Sequence, residues 1–192
     1  MEIVHYPHPT LRYKSKPIKR VNRELKLIVD QMFDLMYQAA GVGLAANQVN
    51  LGIRLFVMNE AGQRGDGEEH VFINPVLSKP KGSEEKQEGC LSLPELYGNV
   101  IRPREILCQG YNLRGETFNE VVDGLFGRII QHESDHLDGV LFIDRMKEST
   151  REQIEGEIDE FEIDFDAKQK SGEIPDETVI RNHLADVESR FC

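Results

Sequence analysis

The 192-residue chain has no apolar run of the roughly 18 residues that a membrane-spanning helix needs, so a helical membrane protein is excluded. Its first residues, Met1-Glu2-Ile3-Val4-His5-Tyr6-Pro7, lack a basic region followed by an apolar stretch. No secretory signal or transit peptide is legible there, and the expected location is the cytoplasm. Cysteine is scarce: Cys90, Cys108 and Cys192 are odd in number and widely spaced. They do not form a disulfide framework, and each needs its own explanation. Internal repeats and low-complexity tracts are absent. Positive charge is short as well, with 23 Lys and Arg against 34 Asp and Glu, a net charge of −11. From Lys147 to Cys192 fourteen acidic residues face six basic ones, a net −8 that leaves −3 for residues 1–146. A tail of that sign repels phosphates, so direct nucleic-acid binding through it is not expected.

What the chain does have is enough length for one compact catalytic domain plus an appendage. Asn22 can cap a helix in which Leu25, Ile28, Val29, Met32, Phe33 and Met36 recur at the spacing of a buried stripe. It is predicted to run to about Ala40 and to end in Gly41-Val42-Gly43-Leu44-Ala45-Ala46. Strands are predicted at Ile53 to Met58, Val71 to Leu77, Ile106 to Asn112 and Thr117 to Val122, the last two joined by a turn at Arg114-Gly115-Glu116. A helix from Gly124 to Leu137 follows, stopped by Gly139, with Leu125, Ile129, His132 and His136 on one face. A final amphipathic helix is predicted from about Thr150 to Asp166, with Ile154, Ile158, Phe161 and Phe165 as its stripe. The order argues an α+β fold: mixed or antiparallel sheets around a helix bearing the two histidines, with an additional C-terminal helix.

The chemistry concentrates in His132-Glu133-Ser134-Asp135-His136. On a helix, positions i and i+4 project side by side, so two imidazoles can reach one metal ion while Glu133 sits near its water. The bland alternative is a solvated helix face that carries two histidines by chance. Leu125 and Ile129 argue against it by turning that face toward a core, where unpaired imidazoles are costly to bury.

A catalytic site needs a third protein ligand and an open fourth position. In proteases that continue this motif with a Gly and a third His, that His would fall where Phe142 stands, so the class is excluded. In the thermolysin-like class a Glu about twenty residues beyond the second His completes the site, and Glu155 and Glu157 lie near that distance. Both also read as members of a solvated acidic face. Cys90, directly after Gly89, is the other candidate, because a thiolate ligates zinc or ferrous iron well and a glycine before it allows close backbone approach.

Three stretches together resemble the signatures of peptide deformylases: Gly41-Val42-Gly43-Leu44-Ala45-Ala46-Asn47-Gln48, Glu88-Gly89-Cys90-Leu91-Ser92 and Gln131-His132-Glu133-Ser134-Asp135-His136-Leu137. The likeness extends from His5-Tyr6-Pro7 and Leu11-Arg12 to Leu141-Phe142 and Asp144. It implies a catalytic region over residues 1–147, with residues 148–192 as an acidic extension outside it.

That resemblance implies a hydrolase acting on a linear amide, which removes the N-formyl group from the N-terminal methionine of newly made proteins and releases formate. Its partners would be the formyl-methionyl ends of nascent chains, with transient proximity to the ribosome and no membrane. Cys90, His132 and His136 would hold one divalent metal, Fe(II) in the cell and commonly zinc or nickel in purified material. Glu133 would be the general base. The Gln48 side-chain amide and the Leu91 N–H would donate to the developing oxyanion. Val42, Gly43 and Leu44 would offer extended backbone to the peptide, with Glu88 or Gly89 flanking its other side. Val42, Leu125 and Ile129 would form the methionine pocket, all three being equally readable as core residues.

Tyr97 stands where some deformylases carry an Arg, and with Gly98, Asn99, Val100, Arg102 and Pro103 it resembles another branch of the family, which bears on cleft contacts beyond the first residue. Cys108 reads as a buried small apolar residue, Cys192 as a free exposed thiol, and His5, His8, His70 and His183 as structural or surface histidines. The stripe of the tail helix either packs on the catalytic region or docks a partner, and packing is the usual outcome for such a pattern.

Overall fold

The computed structural model describes residues 1–192. Helix α1, Arg23–Gln38, starts where Asn22 accepts a hydrogen bond from Leu25 N at 2.8 Å, and it buries Leu25, Val29, Met32, Phe33 and Met36. The glycines expected to end it do not do so. Ala40 takes the left-handed conformation instead, at φ +54°. Gly41 is needed for space, since a Cβ there would lie 2.7 Å from Leu91 Cδ1.

Seven strands follow: β1 (Gly43–Ala45), β2 (Leu55–Met58), β3 (His70–Lys81), β4 (Glu84–Cys90), β5 (Leu93–Arg102), β6 (Glu105–Tyr111) and β7 (Thr117–Asp123). Five of them form an antiparallel sheet in the order β1-β2-β3-β6-β7, and β4 and β5 pair separately as a hairpin. The turn between β6 and β7 is the one the sequence predicts, with Gly115 at φ +78° and Asn112 N donating to Glu116 O at 2.9 Å. Cys108 is buried on β6, and burial pushes its thiol up to about 12.

Helix α2, Gly124–Leu137, carries His132 and His136. Gly139 ends it at φ +73°, in a place where a Cβ would lie 2.5 Å from Arg12 O. The fold is therefore α+β with antiparallel sheets, as expected.

The tail differs from expectation. It holds a short helix α3 (Glu148–Arg151), then α4 (Glu155–Ser171), and beyond Gly172 a second long helix, α5 (Glu177–Phe191). Asp176 caps α5 by accepting from Val179 N at 3.0 Å, and Ile180, Leu184, Val187 and Phe191 form its buried stripe. Both long helices pack inward. Ile158 of α4 joins Leu11, Leu93, Leu96 and Leu141 in one cluster, while Val187 and Phe191 complete the cluster around α1. Cys192, expected to be exposed, is half-buried against this end of the molecule, with Sγ 3.6 Å from Lys16 O.

This packing has a measurable consequence. Phe191→Ala removes a fully buried ring from the α1 cluster, a change that costs about 3–5 kcal/mol. At this chain length the expected fall in Tm is roughly 10 °C. A variant that melts with the wild type would show that the tail adds nothing to the core.

Candidate active site

Helix periodicity places His132 and His136 one turn apart on α2, with ring centroids 5.1 Å apart. Cys90 arrives from the end of β4, just after a break in the β4–β5 register between Gly89 and Cys90. Such an irregularity re-aims the side chain that follows it. Its result is one cluster in which a ligand atom from each of Cys90, His132 and His136 lies within 4.8 Å of the other two. Cys90 Sγ is 3.3 Å from His136 Nε2. Glu155 and Glu157, the alternative third ligands, are exposed on α4 and outside the cluster.

The donor set fits a metal ion. A buried and a half-buried imidazole converge with a thiol, with few other partners, and one thiolate with two nitrogens suits zinc or ferrous iron. Burial holds the His136 imidazole well below its ordinary pKa. At His132 burial also opposes the charge, but hydrogen bonds to Cys90 and Glu88 outweigh it and raise the imidazole to about 10.

Glu88 does something the sequence did not suggest. Its carboxylate is buried, accepting from Arg102 Nε at 2.7 Å, Arg128 Nη1 at 2.6 Å and His132 Nδ1 at 3.0 Å. Burial disfavours its charge, yet hydrogen bonds from His132 and Arg102 hold the carboxyl well below the usual range. Arg102 also donates to Asp135 at 2.7 Å, so a buried charge network fixes the imidazole plane of His132. A partner of this kind orients a metal ligand and raises its basicity. Glu88→Gln is expected to weaken metal affinity about 10- to 100-fold in competition with a chelator. Equal affinities would show that Glu88 only fills space.

Glu133 is 4% exposed, and its Oε2 has no hydrogen-bond partner. Burial raises its carboxyl to about 7, against the opposing pull of His132 and Arg102. Gly43 leaves room for it, since a Cβ there would lie 2.5 Å from Glu133 Oε1.

Gln48 lies in a tight turn, Ala46–Val49, and is 1% exposed, unlike an ordinary surface glutamine. Its Oε1 accepts from Ala45 N at 2.8 Å, while Nε2 points to Cys90 Sγ at 3.4 Å and Ser92 Oγ at 3.3 Å.

These groups share a cavity of about 670 Å³ between two strand edges, β1 and β4. Val42, Gly43, Gln48, Glu88, Gly89, Leu91, Tyr97, Leu125 and Ile129 all border it. Leu44 does not: its side chain is 0% exposed in the α1 cluster, because alternation along β1 turns it away from the cleft. Leu125 is 52% exposed at the rim, so the stripe that pointed it toward a core is only half right, and Ile129 alone is buried. Tyr97 is 59% exposed and lies over Gly89, where a Cβ would meet its ring at 2.7 Å. The sequence reading missed Ser92, Arg102, Arg128 and Asp135. The charges of Arg102 and Arg128 beside apolar Ile101 and Ile129 were the available signal.

A sequence profile described as polypeptide deformylase matches residues 1–152. The chain belongs to this family. The peptide deformylase of Rhodopirellula baltica is 48% identical over 191 residues, covering 100% of this chain and 95% of its own length. Peptide deformylase 1B of Arabidopsis thaliana, chloroplastic/mitochondrial by name, is 42% identical over 88% of this chain, which spans 62% of that relative's length. Among solved structures a plant peptide deformylase superposes with a TM-score of 0.86 at 41% identity, covering 92% of this chain and 95% of its own. As in other deformylases, the site here is that of a metalloenzyme, with Cys90, His132 and His136 as its metal-binding cluster. No helix is long and apolar enough to cross a membrane.

Proposed function

We propose that this deformylase removes the formyl group from the N-terminal methionine of newly synthesised proteins, releasing formate and a free amine. The observation that carries the reading is the convergence of one thiol and two imidazoles beside a buried carboxylate with one partnerless oxygen in an open cleft. Cys90, His132 and His136 hold one divalent ion, Fe(II) in the cell, with zinc or nickel as substitutes in purified protein. When bound, the ion supplies Lewis acidity, which polarises the formyl group and makes water a nucleophile near neutral pH.

The chain's own residues do the rest. Glu133, poised near neutrality, accepts a proton from the attacking water and returns it to the departing nitrogen. The Gln48 Nε2 and the Leu91 N–H donate to the oxygen as charge develops on it, each donor contributing about 3 kcal/mol in the transition state. The free edge of β1 at Gly43 pairs with the peptide backbone, and Gly89 with Tyr97 borders its other side. Leu44 and Glu88 contribute through main chain only, their side chains being committed elsewhere. Val42, Leu125 and Ile129 offer apolar surface to the methionine side chain.

The test is product analysis on a formyl-methionyl peptide incubated with anaerobically purified protein. Formate and the intact free-amine peptide are expected in equal amounts. Cleavage at internal peptide bonds without formate would overturn the assignment.

A further inference from the structure

The first residues of the chain have no role in the mechanism, yet they touch both halves of it. Ile3 and His5 line the cleft. Val4 and Tyr6 turn the other way, onto the cluster of Leu93, Leu96 and Leu141. This alternation is that of extended chain. Two main-chain donors on the segment reach different parts of the site: Val4 N donates to Gln48 O at 2.8 Å, and Tyr6 N donates to Ser92 O at 2.9 Å. Gln48 and Ser92 belong to separate elements, and Leu91 immediately precedes Ser92. Two residues span at most about 7 Å, so the pair of bonds fixes how far apart the Gln48 turn and the Cys90–Ser92 loop sit.

The direct link between these elements is weaker support. Gln48 Nε2 points to Ser92 Oγ at 3.3 Å, but this is the same donor that must turn to the substrate oxygen. When it does, the main-chain bonds from Val4 and Tyr6 are still in place. The Gln48 turn and the Tyr6 end of the segment are each held further. Asn47, next to Gln48, donates to Thr10 O at 3.1 Å and Tyr13 O at 2.7 Å, and the Tyr6 hydroxyl donates to Glu162 of α4 at 2.9 Å.

We propose that Ile3–Tyr6 is a strap that sets the spacing of the two oxyanion donors, Gln48 and Leu91, and that Val4 is a positioning residue for the reaction. This rests on the reading of Gln48 and Leu91 as those donors. Oxyanion donors act at about 2.7–3.1 Å from the reacting oxygen, and misplacement by about 1 Å can lower a rate a hundredfold. The Val4 N–H acts on kcat rather than on substrate or metal affinity, because Val4, unlike its neighbours Ile3 and His5, lines neither the cleft nor the metal cluster.

The experiment separates the N–H of Val4 from its side chain. Val4→Pro removes the donor, Val4→Ala keeps it, and an α-hydroxy acid installed at position 4 by semisynthesis replaces the N–H by an ester oxygen with no ring. Steady-state kcat and KM, bound metal and Tm are measured for each, alone and combined with Gln48→Ala. The expected result is a fall in kcat of about tenfold or more for the proline and ester proteins relative to Val4→Ala, with KM and metal content unchanged. In the Gln48→Ala background the proline is expected to add less than about a twofold change, since the donor it positions is gone. A kcat within about twofold of Val4→Ala for the ester protein, or the same proportional fall with and without Gln48, would overturn the strap. If Gln48→Ala alone leaves kcat intact, the oxyanion assignment fails first and the strap falls with it.

Discussion

Glu133→Ala is expected to lower formate release by about a hundred- to ten-thousand-fold while leaving the metal bound, the range attributed to one positioned acid–base group. The separation of the two readouts follows from the geometry. Glu133 sits beside the ligands on α2 but outside the cluster of three donor atoms, and its Oε2 has no partner in the protein. Burial raises its carboxyl to about 7, so near neutral pH it can both take and return a proton. Glu133→Gln keeps shape and polarity and is expected to fall as far, because an amide cannot shuttle the proton. Loss of metal together with activity in either variant would make Glu133 a ligand and remove its assigned role.

Cys90→Ala is expected to abolish turnover by a different route, through loss of the metal itself. Two imidazoles one helical turn apart remain in that variant, and two protein ligands fall short of the three that catalytic sites provide. The fold should survive, since Cys90 only borders its apolar cluster and is half-buried. Metal analysis after dialysis and formate release would then fall together, while Tm measured on metal-free wild type and variant would match. Retention of metal by Cys90→Ala would mean that another residue completes the site.

The parts of this structure that could be read from sequence are those where local pattern and chemistry coincide. The His132 to His136 interval is a helix period, and the stripes of α1 and α2 identify the elements without reference to partners. The β4–β5 hairpin was not legible, because Glu84-Glu85-Lys86-Gln87-Glu88 has no apolar alternation. Its strand is exposed along much of its length and held by pairing to β5. Helix α5 was missed although Ile180, Leu184, Val187 and Phe191 recur at helical spacing; polar and charged residues fill most of the positions between them, and Val187 and Phe191 find their cover in the cluster around α1.

Within the site, Cys90 was a candidate on its thiolate chemistry and was singled out through resemblance to a known family, whereas Gln48 was found through that resemblance alone. Glu88 was recognised as a residue flanking the cleft, but its charge partners were not. A carboxylate in a polar strand gives no sign that two arginines, one from β5 and one from α2, will close over it. Leu44 shows the converse limit, where a motif position was legible but the face it takes depended on the register of β1 against β2.

The central claim is that one cysteine and two histidines hold the ion, and metal-edge X-ray absorption on the protein loaded anaerobically with a single metal tests it most directly. With zinc the expected shell is one sulfur at about 2.3 Å and two imidazole nitrogens at about 2.0–2.1 Å. A shell of nitrogen and oxygen alone in the wild type would contradict the assignment and reopen a carboxylate as the third ligand.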